Sequence, residues 1–432
     1  MFGHPKERPT ADQLSRREFL RRAAAAGIAL PSAAAILAAC GSSDEGGGGP
    51  GGGDGEGTEP FPLARKDNPV SLPLYDDNPA IADGMQPESG PLKIFGYNDY
   101  IWKKVRNRFE DQTGAAVEYT VFDTPEEMVS KLRSGASDFD LIVTVTLDNV
   151  SKLAYSKLVQ PLNHTYLGNV TSNVWQTLQD PFYDQGLRYT VPYVIYSTGI
   201  GWRNDLVDVD IAAMDNPYEV LWDTKYAGKT HVQNNSRDLI ALALLRNGID
   251  DVNTANTSDL DAAKADLLEG VESMNWKFDH TDYTELPEGS AWLHQSWSGN
   301  MAYAQYYMPK DVSIDTISYV WPPDAPSGTA GVAQNDVFMI PTGAQNPVLA
   351  HTMIDMLSDT EIAIENYSYE GFQPTIDGVT PERILADGLV PENLESILLT
   401  EDAAINGLQT LELEPQVDQL YQQIYQEVSG GA

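Results

Sequence analysis

The chain has 432 residues and the composition of a globular protein, with length for two core-bearing domains. Its 63 Asp and Glu against 27 Lys and Arg give a formal net charge of -36, which repels phosphate backbones and argues against nucleic acid as a partner. The single cysteine excludes an intramolecular disulfide and any Cys-x-x-Cys metal or redox site.

The acidic charge itself selects no ligand. It would attract cations, including polyamines and metal ions, but it equally fits solubility or adaptation to salt. Both interpretations stay open from composition alone.

The first 40 residues resemble an export and lipidation signal. Arg16 and Arg17 form a twin-arginine pair in a basic stretch, and an Ala-rich apolar run follows, as in Tat signals. Leu37-Ala38-Ala39-Cys40 then resembles a lipoprotein box, whose cysteine becomes the lipid-bearing first residue of the mature protein. The alternative, an uncleaved membrane span, fits poorly because the run is short and poor in Leu and Ile. The segment before Cys40 is therefore predicted to be removed, and Cys40 is predicted to carry the lipid anchor.

Residues 41–91 do not have the pattern of a folded domain. Residues 41–60 are Gly-rich and acidic, which is typical of a flexible tether. Residues 61–91 contain six prolines and are predicted to form an irregular arm. The folded unit is predicted to start near Leu92.

The first predicted elements alternate between strand and helix. Thr124-Pro125-Glu126-Glu127 has the pattern of an N-cap, an N1 proline and a capping-box glutamate. In chain order we predict a strand at Leu92–Phe95, a helix from Ile101 to Gly114, a strand at Val117–Val121, a helix from Pro125 to about Gly135, and a strand at Leu141–Val145. This order is a βαβαβ unit.

Later segments continue this pattern, so the predicted fold class is α/β. We predict strands at Tyr189–Tyr193 and Thr198–Trp202, a helix at Arg237–Asn247, a helix at Asp259–Val271 capped by Ser258, a strand at Val337–Ile340, and a mainly helical remainder. An apolar stripe that includes Leu420 and Ile424 marks the last helix.

Signals of catalysis are absent from the sequence. There is no Gly-x-Ser-x-Gly, His-Glu-x-x-His, P-loop or dinucleotide-binding pattern, and the six histidines are scattered at 4, 164, 231, 280, 294 and 351. We therefore predict no enzyme activity, no cofactor and no metal site.

Aromatic residues instead stand beside carboxylates at predicted strand ends and turns. Tyr97 and Tyr100 follow the first strand, 235–238 opens a helix, 297–300 is predicted as a polar turn, and 334–336 precedes a strand. Such positions line the ligand crevice of open α/β sheets. Carboxylates and aromatic faces suit an ammonium ligand, since a cation over an aromatic ring gains about 0.5 to 2 kcal/mol. Core packing of the aromatics and helix-dipole stabilisation of Asp238 are the structural alternatives.

From Leu92 to the C-terminus the chain resembles the spermidine/putrescine-binding proteins of bacterial ABC importers, a group of the extracellular solute-binding proteins. The stretches that carry the resemblance are Leu92–Tyr100, Phe109–Gly114, Tyr189–Tyr193, Leu221–Lys229 and Val320–Pro322. The resemblance implies a type II periplasmic binding protein fold whose hinge strands cross between two lobes. Lobe 1 would comprise 92–201 and 335–380, and lobe 2 would comprise 202–334 and 381–432.

The resemblance also implies site residues. Tyr97 and Tyr100 match the family's aromatic pair, Asp238 an acid that takes an ammonium, Trp297 a stacking residue and Asp336 the acid that anchors an amine.

Three further matching positions depart from the family pattern. Asn235 replaces an Asp, Gln334 replaces a frequent Trp, and Phe372 replaces a Tyr; the loop after 141–145 also lacks the family's Ser and Tyr. These losses weaken the case for a long polyamine, so putrescine, another small amine or a ligand outside the amines remains open.

The prediction is an extracytoplasmic receptor, in the periplasm or on the outer face of the membrane, anchored through Cys40. It would capture a small cationic solute, a polyamine, and pass it to an ABC permease and its ATPase. One alternative is a receptor for a sugar or for ferric ion, with Tyr306 and Tyr307 as a candidate iron pair, although their position beside Met308-Pro309 favours a place in the core or at an interface. Another alternative is an exported enzyme on the same scaffold.

Overall fold

The computed structural model describes residues 61–430 except 99, 136, 137 and 327. The predicted export segment with Arg16, Arg17 and Cys40 lies outside the described residues, as do residues 41–60 of the predicted tether. Among the helices of the described part, none is long and apolar enough to cross a membrane.

The strands of the described chain form one mixed sheet. They are β1 Leu92–Gly96, β2 Val117–Val121, β3 Leu141–Val145, β4 Val159–Gln160, β5 Val191–Arg203, β6 Thr230–Gln233, β7 Lys277–Asp279, β8 Leu293–Trp297, β9 Ile317–Val320, β10 Val332–Pro341 and β11 Gln373–Pro374. Their order is β2-β1-β3-β10-β5-β8-β6-β7, while β9 and β11 also pair with β5 and β4 pairs with β10.

Helices cover the sheet. They are α1 Lys103–Thr113, α2 Pro125–Arg133, α3 Leu147–Tyr155, α4 Gly168–Asn173, α5 Ser236–Arg246, α6 Thr257–Met274, α7 Asp282–Glu288, α8 Ser298–Ala304, α9 Pro347–Leu357, α10 Thr360–Glu370, α11 Pro381–Ala386, α12 Glu401–Asn406 and α13 Pro415–Ser429. Short 3₁₀ turns link several of them.

The predicted βαβαβ start is confirmed, with β1 parallel to both β2 and β3. Gly114 ends α1 in the left-handed region at φ 77°, where glycine has no Cβ penalty. At the start of α2 the backbone N–H of Glu127 donates to Thr124 Oγ1 at 3.2 Å, and Glu127 Oε2 accepts from Asp123 N at 3.0 Å. These local signals were readable because each one acts within a single helical turn.

The prediction of two separate strands, at Tyr189–Tyr193 and Thr198–Trp202, is wrong, because a single strand, β5, runs from Val191 to Arg203. Its first half pairs with β10 and its second half with β8 and β9. The exchange of partners keeps the strand extended through Ser197 and Thr198, which have the composition of a turn.

Two other elements begin earlier in the structure than the sequence predicted. Strand β10 begins at Val332 rather than Val337, so residues 334–336 lie inside it and not before it. Helix α6 begins at Thr257, where Asn256 accepts from Ser258 N, instead of being capped by Ser258. The earlier start of β10 depends on pairing with β5, whereas the cap of α6 is a local contact that simply lies two residues earlier than predicted.

Residues 61–91 are irregular, as predicted, but they pack against the domain. Val70 and Leu72 are buried, the Val70 N–H donates to Phe182 O at 2.8 Å, and Arg188 donates to Leu72 O at 2.7 Å. The compact part of the described chain therefore begins at Pro62, earlier than the predicted start near Leu92.

The buried side chains form three clusters. One is built on segments assigned above to lobe 2, and includes Leu242, Leu267 and Ile424. The largest combines residues of both assigned lobes, with Met301 in the same cluster as Tyr193. The division of the chain into two lobes therefore stays a prediction.

Candidate ligand-binding site

Five aromatic rings form a continuous series through the middle of the sheet. The ring centroids of Tyr97 and Tyr100 are 5.9 Å apart, and Tyr100 stacks on Phe372 at 4.6 Å. Tyr196 meets Phe372 edge-on at 5.4 Å and Trp297 at 6.0 Å. The structure thus brings four of the predicted residues together, with Tyr196 of β5 as their link.

Asp238 lies at the Trp297 end of this series, in the first turn of α5. Its Oδ2 accepts from Trp297 Nε1 at 3.1 Å and from Asn235 Nδ2 at 2.6 Å, and its Oδ1 accepts from Thr198 Oγ1 at 3.1 Å. Burial raises the pKa of the Asp238 carboxyl, and these three hydrogen bonds oppose the rise. Asn235 also caps α5 by accepting from Asp238 N at 2.8 Å.

Asp336 lies within β10 and is only 1% exposed. Its Oδ1 accepts a long hydrogen bond, 3.3 Å, from the Tyr196 hydroxyl, while Oδ2 is buried and has no hydrogen-bond partner among the described residues. Burial raises the pKa of Asp336 to about 7, and the negative charges of Asp148 and Asp238 add to the rise. An unpaired buried acceptor is costly, so this oxygen is suited to a donor from outside the chain.

Other predicted residues have partners within the protein. The Gln334 amide donates to Thr410 Oγ1. The Tyr306 hydroxyl donates to Ser368 O at 2.5 Å, and the Tyr307 hydroxyl donates to Tyr303 Oη at 3.1 Å. The candidate iron pair therefore belongs to a tyrosine cluster, which favours packing as its role.

Trp297 is the last residue of β8 and directly precedes α8, so the polar turn predicted at 297–300 is wrong. Its ring lies parallel to that of His280, with centroids 5.3 Å apart and planes 10° apart. Burial lowers the pKa of His280 to about 4, which leaves the imidazole neutral near pH 7. His280 therefore places no positive charge on the face of Trp297 against which it stacks.

Sequence reasoning missed Tyr196, Thr198 and His280. Tyr196 and Thr198 fall where β5 was divided into two strands. In the structure Tyr196 lies opposite Gln334 of β10, and Thr198 lies between Val332 of β10 and Trp297 of β8. His280 had no local signal, because its role depends on contact with Trp297, 17 residues further along the chain.

Gly299 permits the close approach of Phe372 to α8. A Cβ at Gly299 would lie 2.5 Å from Phe372 Cγ, so Gly299→Ala must displace the ring. We expect the free energy of unfolding to fall by about 1 to 3 kcal/mol, the usual cost of overpacking. Urea denaturation measures this, with Gly168→Ala as the matched control, since a Cβ at Gly168 has no atom within 4 Å. Equal stability of the two variants would contradict the contact.

Comparison with known proteins places this site in context. Residues 96–364 match the family model described as bacterial extracellular solute-binding protein. A putrescine/cadaverine-binding protein of Pseudomonas aeruginosa is 28% identical over 63% of this chain and 76% of its own length. A spermidine/putrescine-binding periplasmic protein of Escherichia coli is 26% identical over 80% of this chain and 93% of its own length.

A solved structure supports the fold. The spermidine/putrescine ABC transporter substrate-binding protein PotD from Streptococcus pneumoniae superposes with a TM-score of 0.63 at 19% identity, over 79% of this chain and 99% of that protein. The predicted periplasmic binding protein fold is thereby confirmed. Because the family model spans more than half of the sequence, this chain belongs to the bacterial extracellular solute-binding protein family.

Proposed function

We propose that the protein is the substrate-binding component of an ABC importer and captures a polyamine of the putrescine or spermidine class. The observation that carries the proposal is the buried carboxylate of Asp336, whose Oδ2 lacks a partner in the described residues and which lies at the aromatic series. The names of the relatives, which refer to putrescine and spermidine, support the same ligand class.

The chemistry of a polyamine matches the site. An ammonium group offers three N–H donors and a positive charge, and charge-assisted hydrogen bonds to a carboxylate are about twice as strong as neutral ones. Asp336 would take one ammonium, while the rings of Tyr100, Tyr196 and Trp297 would cover the methylene chain. A dissociation constant near 1 μM corresponds to about -8 kcal/mol, which such contacts can supply.

The residues around Asp238 support a short diamine over a longer polyamine. Asn235 donates to Asp238 at 2.6 Å, so an amide occupies a position where a second carboxylate would accept another ammonium. Gln334 offers no aromatic face and is hydrogen-bonded to Thr410. Putrescine, with two ammonium groups, therefore suits Asp336 and Asp238 best.

Delivery requires partners in the membrane. We infer an ABC permease with its ATPase as the recipient, and lipid on Cys40 as the anchor that keeps the receptor near it, with residues 41–60 as a tether. This anchoring rests on the sequence pattern at 37–40. The chain would remain extracytoplasmic and make or break no covalent bond in its ligand.

Calorimetric titration tests the ligand. We expect the purified protein to bind one putrescine with a dissociation constant in the micromolar range at pH 8, and spermidine more weakly. Butane-1,4-diol, which has the same carbon chain without charge, is the matched control and should give no heat. The absence of heat and of a thermal shift with millimolar putrescine and spermidine would refute the polyamine proposal.

A further inference from the structure

Three neighbouring parallel strands each contribute one potential metal ligand, away from Asp336. His231 lies on β6 and stands directly opposite His294 of β8 in the strand register. On the other side His231 is opposite Lys277 of β7, and Asp279 follows two residues later, on the same face of the sheet. We call His231, Asp279 and His294 the His-Asp-His cluster.

The three side chains converge on one point. His231 Nδ1 lies 2.8 Å from Asp279 Oδ2, and His294 Nε2 lies 3.0 Å from Asp279 Oδ1. All three ligand atoms lie within 4.8 Å of one another. Both imidazoles are buried, whereas the Asp279 side chain is 24% exposed.

Surrounding groups hold these ligands in the orientation that a metal requires. His294 Nδ1 lies 2.6 Å from Gln295 O, to which it can only donate, so Nε2 is the nitrogen available for coordination. Metal-ligating histidines characteristically donate their other N–H to a carbonyl in this way. Asp279 Oδ1 is itself held by the backbone N–H of Thr281 at 3.0 Å and by its hydroxyl at 3.1 Å.

His231 supports the same interpretation. Its Nδ1 contacts Asp279, and its Nε2 is buried without a hydrogen-bond partner in the described chain. Nδ1 is therefore the nitrogen that faces the other two side chains, and it would coordinate an ion with the ring proton on Nε2.

We propose that the His-Asp-His cluster is a Zn²⁺ site. Zinc bonds to nitrogen and oxygen of about 2.0 to 2.2 Å in a tetrahedron set the ligand atoms roughly 3.4 Å apart. The two His–Asp distances of 2.8 and 3.0 Å are shorter, so the side chains would separate to admit the ion. The exposed side of Asp279 leaves the fourth position to water. Two imidazoles and one carboxylate suit Zn²⁺, whereas Ca²⁺ and Mg²⁺ prefer oxygen ligands alone. The ion would replace the protons now shared between these side chains.

Such an ion would join β6, β7 and β8, which are distant in sequence, and would stabilise this edge of the sheet. None of the three ligands is one of the residues proposed to bind the polyamine, although Asp279 adjoins His280, which stacks on Trp297. Each proposal can therefore fail without the other.

The test is a zinc titration of the full chain carrying Cys40→Ser, which removes the competing thiol, after treatment with EDTA. We expect one equivalent of Zn²⁺ to bind, to raise the melting temperature, and to be unaffected by excess Mg²⁺. Asp279→Asn and His294→Gln should each weaken zinc binding at least 100-fold. His164→Gln, at an exposed histidine outside the cluster, is the control and should bind zinc as the parent does.

Circular dichroism and urea denaturation verify that the variants are folded. If the parent takes up no zinc, or if Asp279→Asn binds it as tightly as the parent, the cluster is a hydrogen-bonded structural network and the proposal is overturned. A variant that loses both zinc and fold is replaced by His231→Gln, judged by the same titration.

Discussion

Asp336→Asn is expected to weaken putrescine binding at least 30-fold and, at the same time, to stabilise the ligand-free protein. The amide has the shape of the carboxyl but no charge, so the anchoring ion pair is lost. Removing one partner of a buried charge pair costs about 2 to 5 kcal/mol, which corresponds to at least a 30-fold loss of affinity. The stability gain follows because the Asp336 carboxylate is buried with one oxygen unpartnered in the described chain.

The pKa of Asp336 determines whether removing its carboxyl raises or lowers the free energy of unfolding. The pKa of Asp336 is about 7 in the folded protein, against an ordinary value of 3.8. The unfolded chain therefore releases this proton first, and the free energy of unfolding falls as pH rises from about 4 to 7. Above pH 7 the cost is complete and on the order of 4 kcal/mol, from 1.36 kcal/mol for each pKa unit. Asp336→Asn removes this decline.

Putrescine affinity rises with pH over the range in which Asp336 ionises, whereas the free energy of unfolding falls. The ammonium ligand needs the ionised carboxylate, so below pH 7 the dissociation constant of the unmodified protein should rise about tenfold per pH unit. Calorimetric titration and urea denaturation at pH 5, 6, 7 and 8 measure both effects.

Asp184→Asn is the matched control for Asp336→Asn. Asp184 is also buried, but its Oδ2 accepts from Tyr189 N, Thr190 N and Thr190 Oγ1 at 2.8 to 2.9 Å. Its Oδ1 is unpartnered in the described chain and burial raises its pKa to about 6, so replacing it removes a desolvation cost above pH 6 while three donors lose a charged acceptor. Putrescine affinity should stay unchanged, and affinity is the property that separates the two variants. Native affinity in Asp336→Asn, or a loss of stability in that variant, would contradict the proposed role.

Trp297 is expected to be the second large contributor to binding. Its indole supplies an aromatic face for the ligand and donates to Asp238 Oδ2 at 3.1 Å. Trp297→Phe keeps a ring but loses the donor, and we expect about a tenfold loss of putrescine affinity. Trp297→Ala loses the face as well, so a loss of about 100-fold is expected from the cation–π interaction and the lost apolar contact.

Trp276→Phe separates this effect from general destabilisation. Trp276 is buried outside the proposed site, donates to Leu221 O at 3.0 Å and packs edge-on against Trp222. Its replacement should lower the melting temperature and leave putrescine affinity unchanged. The role of Trp297 would be refuted if Trp297→Ala bound putrescine as tightly as Trp276→Phe does.

The structure explains which sequence predictions succeeded. The capping box at Thr124 and the glycine stop at Gly114 were readable because the interacting groups are within four residues of one another. The continuity of β5 was not readable, since it depends on pairing with distant strands: Ser197 pairs with β10, and Thr198 with both β10 and β8. The same distinction applies to the site. Tyr100 and Trp297 were predicted, whereas Tyr196, which lies between them, was missed.

The sequence by itself determined the βαβαβ start, the resemblance to solute-binding proteins and the choice of acids and aromatics as candidate ligand contacts. Only the tertiary structure decided which of those acids lacks a partner. Asp238 and Asp336 look alike in sequence, but Asp238 receives three hydrogen bonds and Asp336 a single long one. The same holds for the His-Asp-His cluster, which strand pairing assembles from positions 231, 279 and 294. The reason is that desolvation and hydrogen-bond satisfaction depend on segments far apart in the chain, which no local pattern encodes.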